Sequence, residues 1–197
     1  MNTRVKRNAR NSSHKERGFS VIELVAVVST MIVVLATAIV QLQPALQQLR
    51  ANNAKYSVFS TLRFARQAAI AQRRAIRVEF IGSRELKLTR INQPAGTTEI
   101  SDVFLSSDVN YQLTAGAPDT PDGFGNGGAI VFGGMVGGPP VMQFQSDGTF
   151  VDGNGNPLNG TVFLGISNIT TAARAVTVLG ATGRVHSYQF TGTTWSR

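Results

Sequence analysis

The 197-residue chain contains no cysteine, one tryptophan and two histidines, and it sets only 11 acidic residues against 19 lysines and arginines. Without cysteine there is no disulfide framework, no thiolate metal site and no cysteine nucleophile. That absence leaves the compartment open, because periplasmic proteins also manage without disulfides. Of the two histidines, His14 sits in a basic leader, and His186, in "RVHSYQF", reads as an outward-facing strand residue. No Ser/His/Asp set, closely spaced carboxylate pair or metal-ligand cluster stands out, so a non-enzymatic role is expected.

The formal charge of +8 is unevenly distributed. Residues 1–18 carry a net +5, from Arg4, Lys6, Arg7, Arg10, Lys15 and Arg17 against Glu16. Residues 50–90 carry +8 and residues 91–197 carry −4. Positive charge is therefore confined to the leader and to one downstream segment, and the C-terminal body is mildly acidic.

Between these basic regions runs "GFSVIELVAVVSTMIVVLATAIVQL", in which residues 24–40 hold no charge. With Phe19, Val21 and Ile22 the apolar stretch reaches about 20 residues, enough for a hydrocarbon core about 30 Å thick. Basic residues before it favour a cytoplasmic N-terminus, with the rest of the chain across the membrane. The following "QLQPALQQLR" is a poor signal-peptidase site. Glu23 is the anomaly. A carboxylate within a span is costly and marks a function with a partner, yet no residue from 24 to 49 is basic.

The residues "RGFSVIEL" resemble the processing site of type IV prepilins and pseudopilins: a basic leader, a glycine, an aromatic, three residues, a glutamate and an apolar run. The resemblance implies cleavage of Gly18-Phe19 by the membrane-embedded prepilin peptidase, followed by N-methylation of Phe19. It also implies work with other pilins or pseudopilins in a filament and with an inner-membrane assembly platform. Cleavage would create an α-ammonium four residues from Glu23. An ion pair between Glu23 of one subunit and Phe19 of its neighbour would then offset the acid's desolvation and set the axial register.

Four segments are expected: leader 1–18, the membrane and assembly half of a long helix 19–43, its amphipathic half 44–76, and an antiparallel β domain 77–197 with a glycine-rich insertion near 115–140. In the second helical segment Leu42, Leu46, Leu49, Tyr56, Phe59, Leu62, Ala65, Ala69 and Ile76 follow three-and-four spacing. Pro44 is expected to bend or loosen the helix there. Strands are predicted over 75–81, 85–91, 99–105, 141–145, 161–166, 174–180 and 184–190, with turns at Gly82-Ser83, Asp147-Gly148 and Thr182-Gly183. No helical crossovers separate them, which makes the fold α+β rather than parallel α/β. "TLRFARQAAIAQRRAIRVEF", "MQFQSDGTF" and "AVTVLGATGRVHSYQF" resemble the GspH/FimT group of minor pilins and minor pseudopilins. That resemblance implies a pilin-like long helix packed on an antiparallel sheet. It also implies a structural role at filament initiation or at the tip, in the bacterial inner membrane with a periplasmic C-terminal domain and then in a filament.

Three other features invite chemistry. The glycine-rich 120–140 lacks a phosphate-loop lysine and reads as a flexible surface loop or hairpin. Asp152, Asn154 and Asn156 alternate as in half of a calcium loop, but Pro157 and Phe163 occupy the positions that loop gives to glycine and glutamate; a polar turn is the expectation and calcium the alternative. Some FimT-type minor pilins bind DNA through a G-R-x-R-like pattern near the C-terminus. Gly183, Arg184, Val185 and His186 match it incompletely, so DNA is the alternative partner, with Arg174, Arg184 and His186 as its contacts.

Overall fold

The structure, a computed structural model, describes residues 18–197. The basic residues of the leader, up to Arg17, lie outside the described residues. The chain divides into two compact units between Leu42 and Gln43, and helix α1, Val21–Gln72, supplies residues to both. Ser29, Thr30 and Thr37, the polar interruptions in its apolar stretch, each turn a hydroxyl back to a carbonyl three or four residues earlier: Val25 at 2.7 Å, Val27 at 2.8 Å and Val34 at 2.8 Å. No hydroxyl there needs an outside partner, so these residues are compatible with a lipid environment. The helix continues through Pro44 as one element, although a proline there removes one backbone hydrogen bond.

The C-terminal end of α1 is specific. Arg73 adopts φ +50°, and the amides of Arg74 and Arg73 reach back to the carbonyls of Ala69 (3.2 Å) and Ile70 (3.3 Å). This is a Schellman cap with arginine in place of the usual glycine. It stops the helix at Gln72, four residues before the expected boundary at 76, and turns the chain into the first strand, to which Ile76 belongs.

In the second unit twelve short strands follow: β1 Ile76–Ile81, β2 Glu85–Ile91, β3 Thr97–Phe104, β4 Asn110–Tyr111, β5 Ile130–Phe132, β6 Met135–Val136, β7 Met142–Phe144, β8 Phe150–Asp152, β9 Gly160–Ile166, β10 Ile169–Leu179, β11 Arg184–Phe190 and β12 Trp195–Ser196. One sheet has the order β3-β2-β1-β7-β8. The other has the order β12-β11-β10-β9-β5-β6, with β4 also on β9. Every pairing is antiparallel, and β1 joins β2 with Ile76 opposite Arg90, and β7 with Ile76 opposite Phe144. The fold is α+β: one long N-terminal helix and an antiparallel β domain.

A single apolar cluster unites the unit. Ala54, Val58, Leu62, Ala65 and Ala69 of α1 meet Ile76, Val78, Leu86 and Leu88 of the first sheet and Val162, Leu164, Val176 and Val178 of the second. The buried face of α1 is thus built largely from alanine. The predicted face is correct at Leu62, Ala65 and Ala69 and wrong at Leu42, Leu46, Leu49 and Tyr56, all exposed. Leu49 and Val58 are nine residues apart, half a turn around the helix. The predicted set merged two rows on opposite faces, and the row of small residues is the one over which two sheets can approach closely.

The second sheet is covered on its other face too. Ala173 and Phe190 pack with Ala117, and Phe163, Ala175 and Tyr188 pack with Leu113, while Trp195 closes over both groups. Covering on two faces explains why β10 buries every residue from 172 to 178 and does not alternate cleanly. The segment between β4 and β5 is therefore no loose loop. Trp195 Nε1 donates to the Pro118 carbonyl (2.8 Å), Asp119 accepts from the Gly125 amide (2.8 Å), and Asn126 donates to the Ala117 carbonyl. Beyond it, Gly133 and Gly134, both at positive φ, turn β5 into β6 as a hairpin.

Two predicted turns meet in space. An added Cβ at Gly183 (φ +62°) would overlap the Gly148 carbonyl oxygen, and at Gly148 (φ +86°) it would come within 2.8 Å of Ile70. Gly82 also has positive φ (+57°) but faces open space. Gly82→Ala should cost only the left-handed backbone term, about 1–2 kcal/mol, whereas Gly183→Ala should cost roughly 3 kcal/mol or more because backbone must also move. Urea unfolding of the two variants checks the order, and equal losses would contradict the proposed contact between turns.

Candidate functional site

At the N-terminal end, Gly18, Phe19 and Ser20 precede α1, and all three are exposed. The Ser20 carbonyl accepts the Glu23 amide (3.0 Å) and the Leu24 amide (3.1 Å), which opens the helix. Glu23 lies in the first turn, where the aligned peptide dipoles favour negative charge. Among the described residues no cation pairs with it. A Cβ placed at Gly18 would meet nothing within 4 Å, and the Phe19 ring is 77% exposed. The helix that follows is long and apolar enough to cross a membrane, and none of its most apolar window is buried. Gly18 and Phe19 thus lie exposed just before the helix whose first turn carries Glu23, a carboxylate without a cation partner among the described residues.

The residues predicted as DNA contacts separate. Arg174 must be corrected. It is fully buried, with Nε on Asn52 Oδ1 (2.7 Å) and Nη1 on the Thr171 and Ala173 carbonyls (both 2.8 Å). These carbonyls and the amide satisfy most of the guanidinium without an acid, so its place is structural and it cannot meet a phosphate backbone. Lys55 is its neighbour and is also buried; burial first, then the Arg174 charge, lowers the lysine below its ordinary range.

Arg184 is exposed at the start of β11, one residue after Gly183. His186 is not outward-facing as predicted. Its side chain is 17% exposed, and Nδ1 faces Asp122 at 3.1 Å. Asp122 also accepts the Thr177 hydroxyl. Burial alone would raise this carboxyl; hydrogen bonds from Thr177, His186 and Tyr188, with the charge of His186, outweigh it and leave the group below its usual range. Burial, and then Asp122, push the Tyr188 phenol up. The set resembles a catalytic triad in composition only. The carboxylate takes both the hydroxyl and the imidazole, and His186 Nε2 has no hydrogen-bond partner, so no nucleophile stands beside the base. Asp122 instead ties the segment before β5 to β10 and β11. Sequence reasoning missed this contact, which joins residues 64 positions apart.

The half calcium loop is a self-contained turn. Asp152 Oδ1 accepts the amides of Asn154 and Asn156 (both 2.8 Å), and Oδ2 accepts Asn156 Nδ2 (3.1 Å). Hydrogen bonds from the Asn156 side chain and backbone come first in holding the Asp152 carboxyl below its usual range. Its oxygens accept these N–H donors and close the segment as a polar turn, the arrangement expected from the sequence. The glycine-rich segment, by contrast, acts as a hairpin and sheet cover rather than a phosphate cradle.

No protein-family model matches the chain, and the curated proteins yield no significant match. Among solved structures the chain is similar to the minor pseudopilin EpsH of the Vibrio cholerae type 2 secretion system, with 13% identity, 71% of this chain and 97% of that chain covered, and a TM-score of 0.48. A second structure of EpsH gives 12% identity, 76% and 97% coverage, and a TM-score of 0.46. The type IV minor pilin FimU of Pseudomonas aeruginosa gives 14% identity, 79% and 96% coverage, and a TM-score of 0.47.

The Asp122 geometry has a direct consequence for stability. Its pKa is lowered in the folded state, so its contribution is present above the unfolded carboxyl range and is lost as pH falls through the folded value. Asp147 and Asp152, lowered mainly by hydrogen bonds from Thr149 and Asn156, act in the same direction. Asp122→Asn should cost about 1–3 kcal/mol near neutral pH and reduce the loss of stability on acidification. Thermal unfolding across an acid series checks both; an unchanged acid slope would remove Asp122 from this role.

Proposed function

We propose that the chain is a minor structural subunit of a type IV pilus or of a type II secretion pseudopilus. In this reading it enters the bacterial inner membrane as a precursor and is cut after Gly18 by the prepilin peptidase. It is then methylated at Phe19 and held as a single-pass protein until an assembly platform adds it to a filament. The observation that carries the reading is the conjunction at the start of α1: an accessible Gly18-Phe19 peptide, Glu23 in the first turn without a cation partner among the described residues, and an exposed apolar helix behind it.

The physical argument runs through Glu23. A lone carboxylate at membrane depth is costly, and its own chain places no described cation beside it. Cleavage converts the Phe19 amide into an ammonium, the one new cation available at that depth. Within one subunit the two groups stand four residues apart on the same chain. Between subunits, a Glu23 carboxylate meeting a neighbour's Phe19 ammonium pairs both charges and fixes how far one helix is displaced along the next. The antiparallel β domain, with its buried core and without an assembled catalytic set among the described residues, serves such a subunit as a contact surface.

Two variants test the reading in bacteria that make the filament and its peptidase. Gly18→Ala should leave the precursor uncut, heavier by the mass of the leader when membrane protein is weighed by mass spectrometry. Protein of mature mass from that variant would sink the assigned bond. Glu23→Ala should still be cut, yet its recovery in sheared filaments should collapse, because a buried ammonium without its partner costs about 3–5 kcal/mol. Normal recovery would rule out the ion pair.

A further inference from the structure

The end of α1, the start of β1 and the turn from β2 to β3 meet around a cleft of about 320 Å³, lined by Gln72, Arg74, Arg90, Asn92 and Gln93. Backbone contacts bring these residues together. The cap at Arg73 ends the helix and sets Arg74 two residues before β1. Ile76 of β1 lies opposite Arg90 of β2, and the Ile91 amide donates to the Ala75 carbonyl (2.9 Å). The Asn92 amide then donates to the Gly96 carbonyl (2.9 Å), which closes the turn into β3.

Neither arginine of the cleft pairs with an acid among the described residues. Both are held by carboxamides instead. Arg74 Nη1 donates to Gln93 Oε1, Arg90 Nε to Asn92 Oδ1 (3.1 Å), and Arg90 Nη1 to Gln72 Oε1 (3.2 Å). A guanidinium can only donate, so each amide must turn its oxygen to the arginine and its nitrogen elsewhere. The Asn92 nitrogen is used on Thr98 Oγ1 (2.9 Å). Among the described residues the nitrogens of Gln72 and Gln93, Nε and Nη2 of Arg74, and Nη2 of Arg90 make no hydrogen bond. The amide oxygens are thus turned to the arginines, and what the side chains leave for a ligand is donors. A carboxamide also fixes a guanidinium without neutralising it, so two positive charges stay uncompensated.

A ligand that complements such a cleft presents acceptors and carries negative charge. Saccharide hydroxyls call for acceptors as well as donors, and cations call for oxygens, so neither matches. We propose that this cleft binds a carboxylate of an acidic peptide segment. The free Nε–Nη2 edge of Arg74 matches the two carboxylate oxygens in one plane, as a pair of parallel hydrogen bonds. Arg90 Nη2 and the glutamine nitrogens add single donors to the same group. A nucleic-acid strand fits poorly, because it calls for positive charge repeated along its length. This cleft holds two guanidiniums, and residues 91–197 carry −4. The site lies wholly in the second unit and depends neither on cleavage at Gly18 nor on Glu23.

The test uses the full-length chain in detergent at low ionic strength, with a fluorescent peptide of alternating alanine and glutamate as the probe. Anisotropy should show saturable binding, and the same peptide with glutamine in place of glutamate should not bind. Arg74→Gln and Arg90→Gln should each weaken binding roughly tenfold, while Arg63→Gln, outside the cleft, should not. Gln93→Glu supplies the missing carboxylate from within the chain. It should raise the thermal midpoint and abolish binding, which keeps the test open if an arginine variant fails to fold. The proposal is overturned by any of four results: no saturable binding, equal weakening by Arg63→Gln, undiminished binding by Gln93→Glu, or displacement of the peptide by an equal concentration of single-stranded oligonucleotide. None of these would touch the processing site at Gly18, so the two readings fail separately.

Discussion

The second unit depends on one constraint: a helix face narrow enough to lie under two sheets at once. Ala51, Ala54, Ala65 and Ala69 supply that face, with Val58 and Leu62 as its larger members. Small side chains bring backbone close to backbone, so each strand above can bury its own large residues against the helix without opening a void. Phe132, Phe144 and Phe150 fill the space left between the sheets, with ring centroids 5.4 Å and 4.7 Å apart along the series. A larger residue on that helix face would overpack this layer, because its neighbours are already aromatic.

The same packing explains which parts of the fold were legible. β1, β2 and β11 alternate and end at turns, so local pattern and tertiary burial agree, and their predicted ranges match. β10 was located through its run of β-branched and small residues, although its N-terminal part, from Ile169, was missed. β4, β5, β6, β8 and β12 have two or three residues each, too few for a period to declare itself. Their existence depends on partners distant in sequence. The helix face was half legible: two apolar rows share three-and-four spacing, and only the size of the residues separates the buried row from the exposed one. At the candidate sites, the residues around Gly18 and Glu23 form a local pattern that a sequence can show. Asp122, Thr177 and His186 are joined by topology and left no local trace.

Two sequence features noted separately, Asp147-Gly148 and Thr182-Gly183, have a common cause. Asp147 accepts the Thr149 amide and hydroxyl to close its own turn. Gly148 then presents a carbonyl to Arg66, and Gly183 leaves room for that carbonyl. Neither glycine accepts a side chain, and Arg66 lies against both. The two turns meet each other through backbone, and the helix reaches them through the Arg66 and Ile70 side chains.

Along α1 the distribution of side chains changes with residue number more sharply than the helix itself does. From Val21 to Ile39 apolar residues occupy every face and the hydroxyls are satisfied within the helix; such a surface is stable only in lipid or among similar helices. From Ala51 onward one face is buried in the body, and the remaining faces carry Arg63, Arg66, Arg73 and Arg74. Between these stretches Leu42, Leu46 and Leu49 remain exposed, and Arg50 turns aside to Asp108. The first charge after Glu23 is thus taken up by the body rather than left free on the helix. Residues 24–49 hold no cation, so the chain downstream of Glu23 offers it no pairing charge before Arg50, which is already paired.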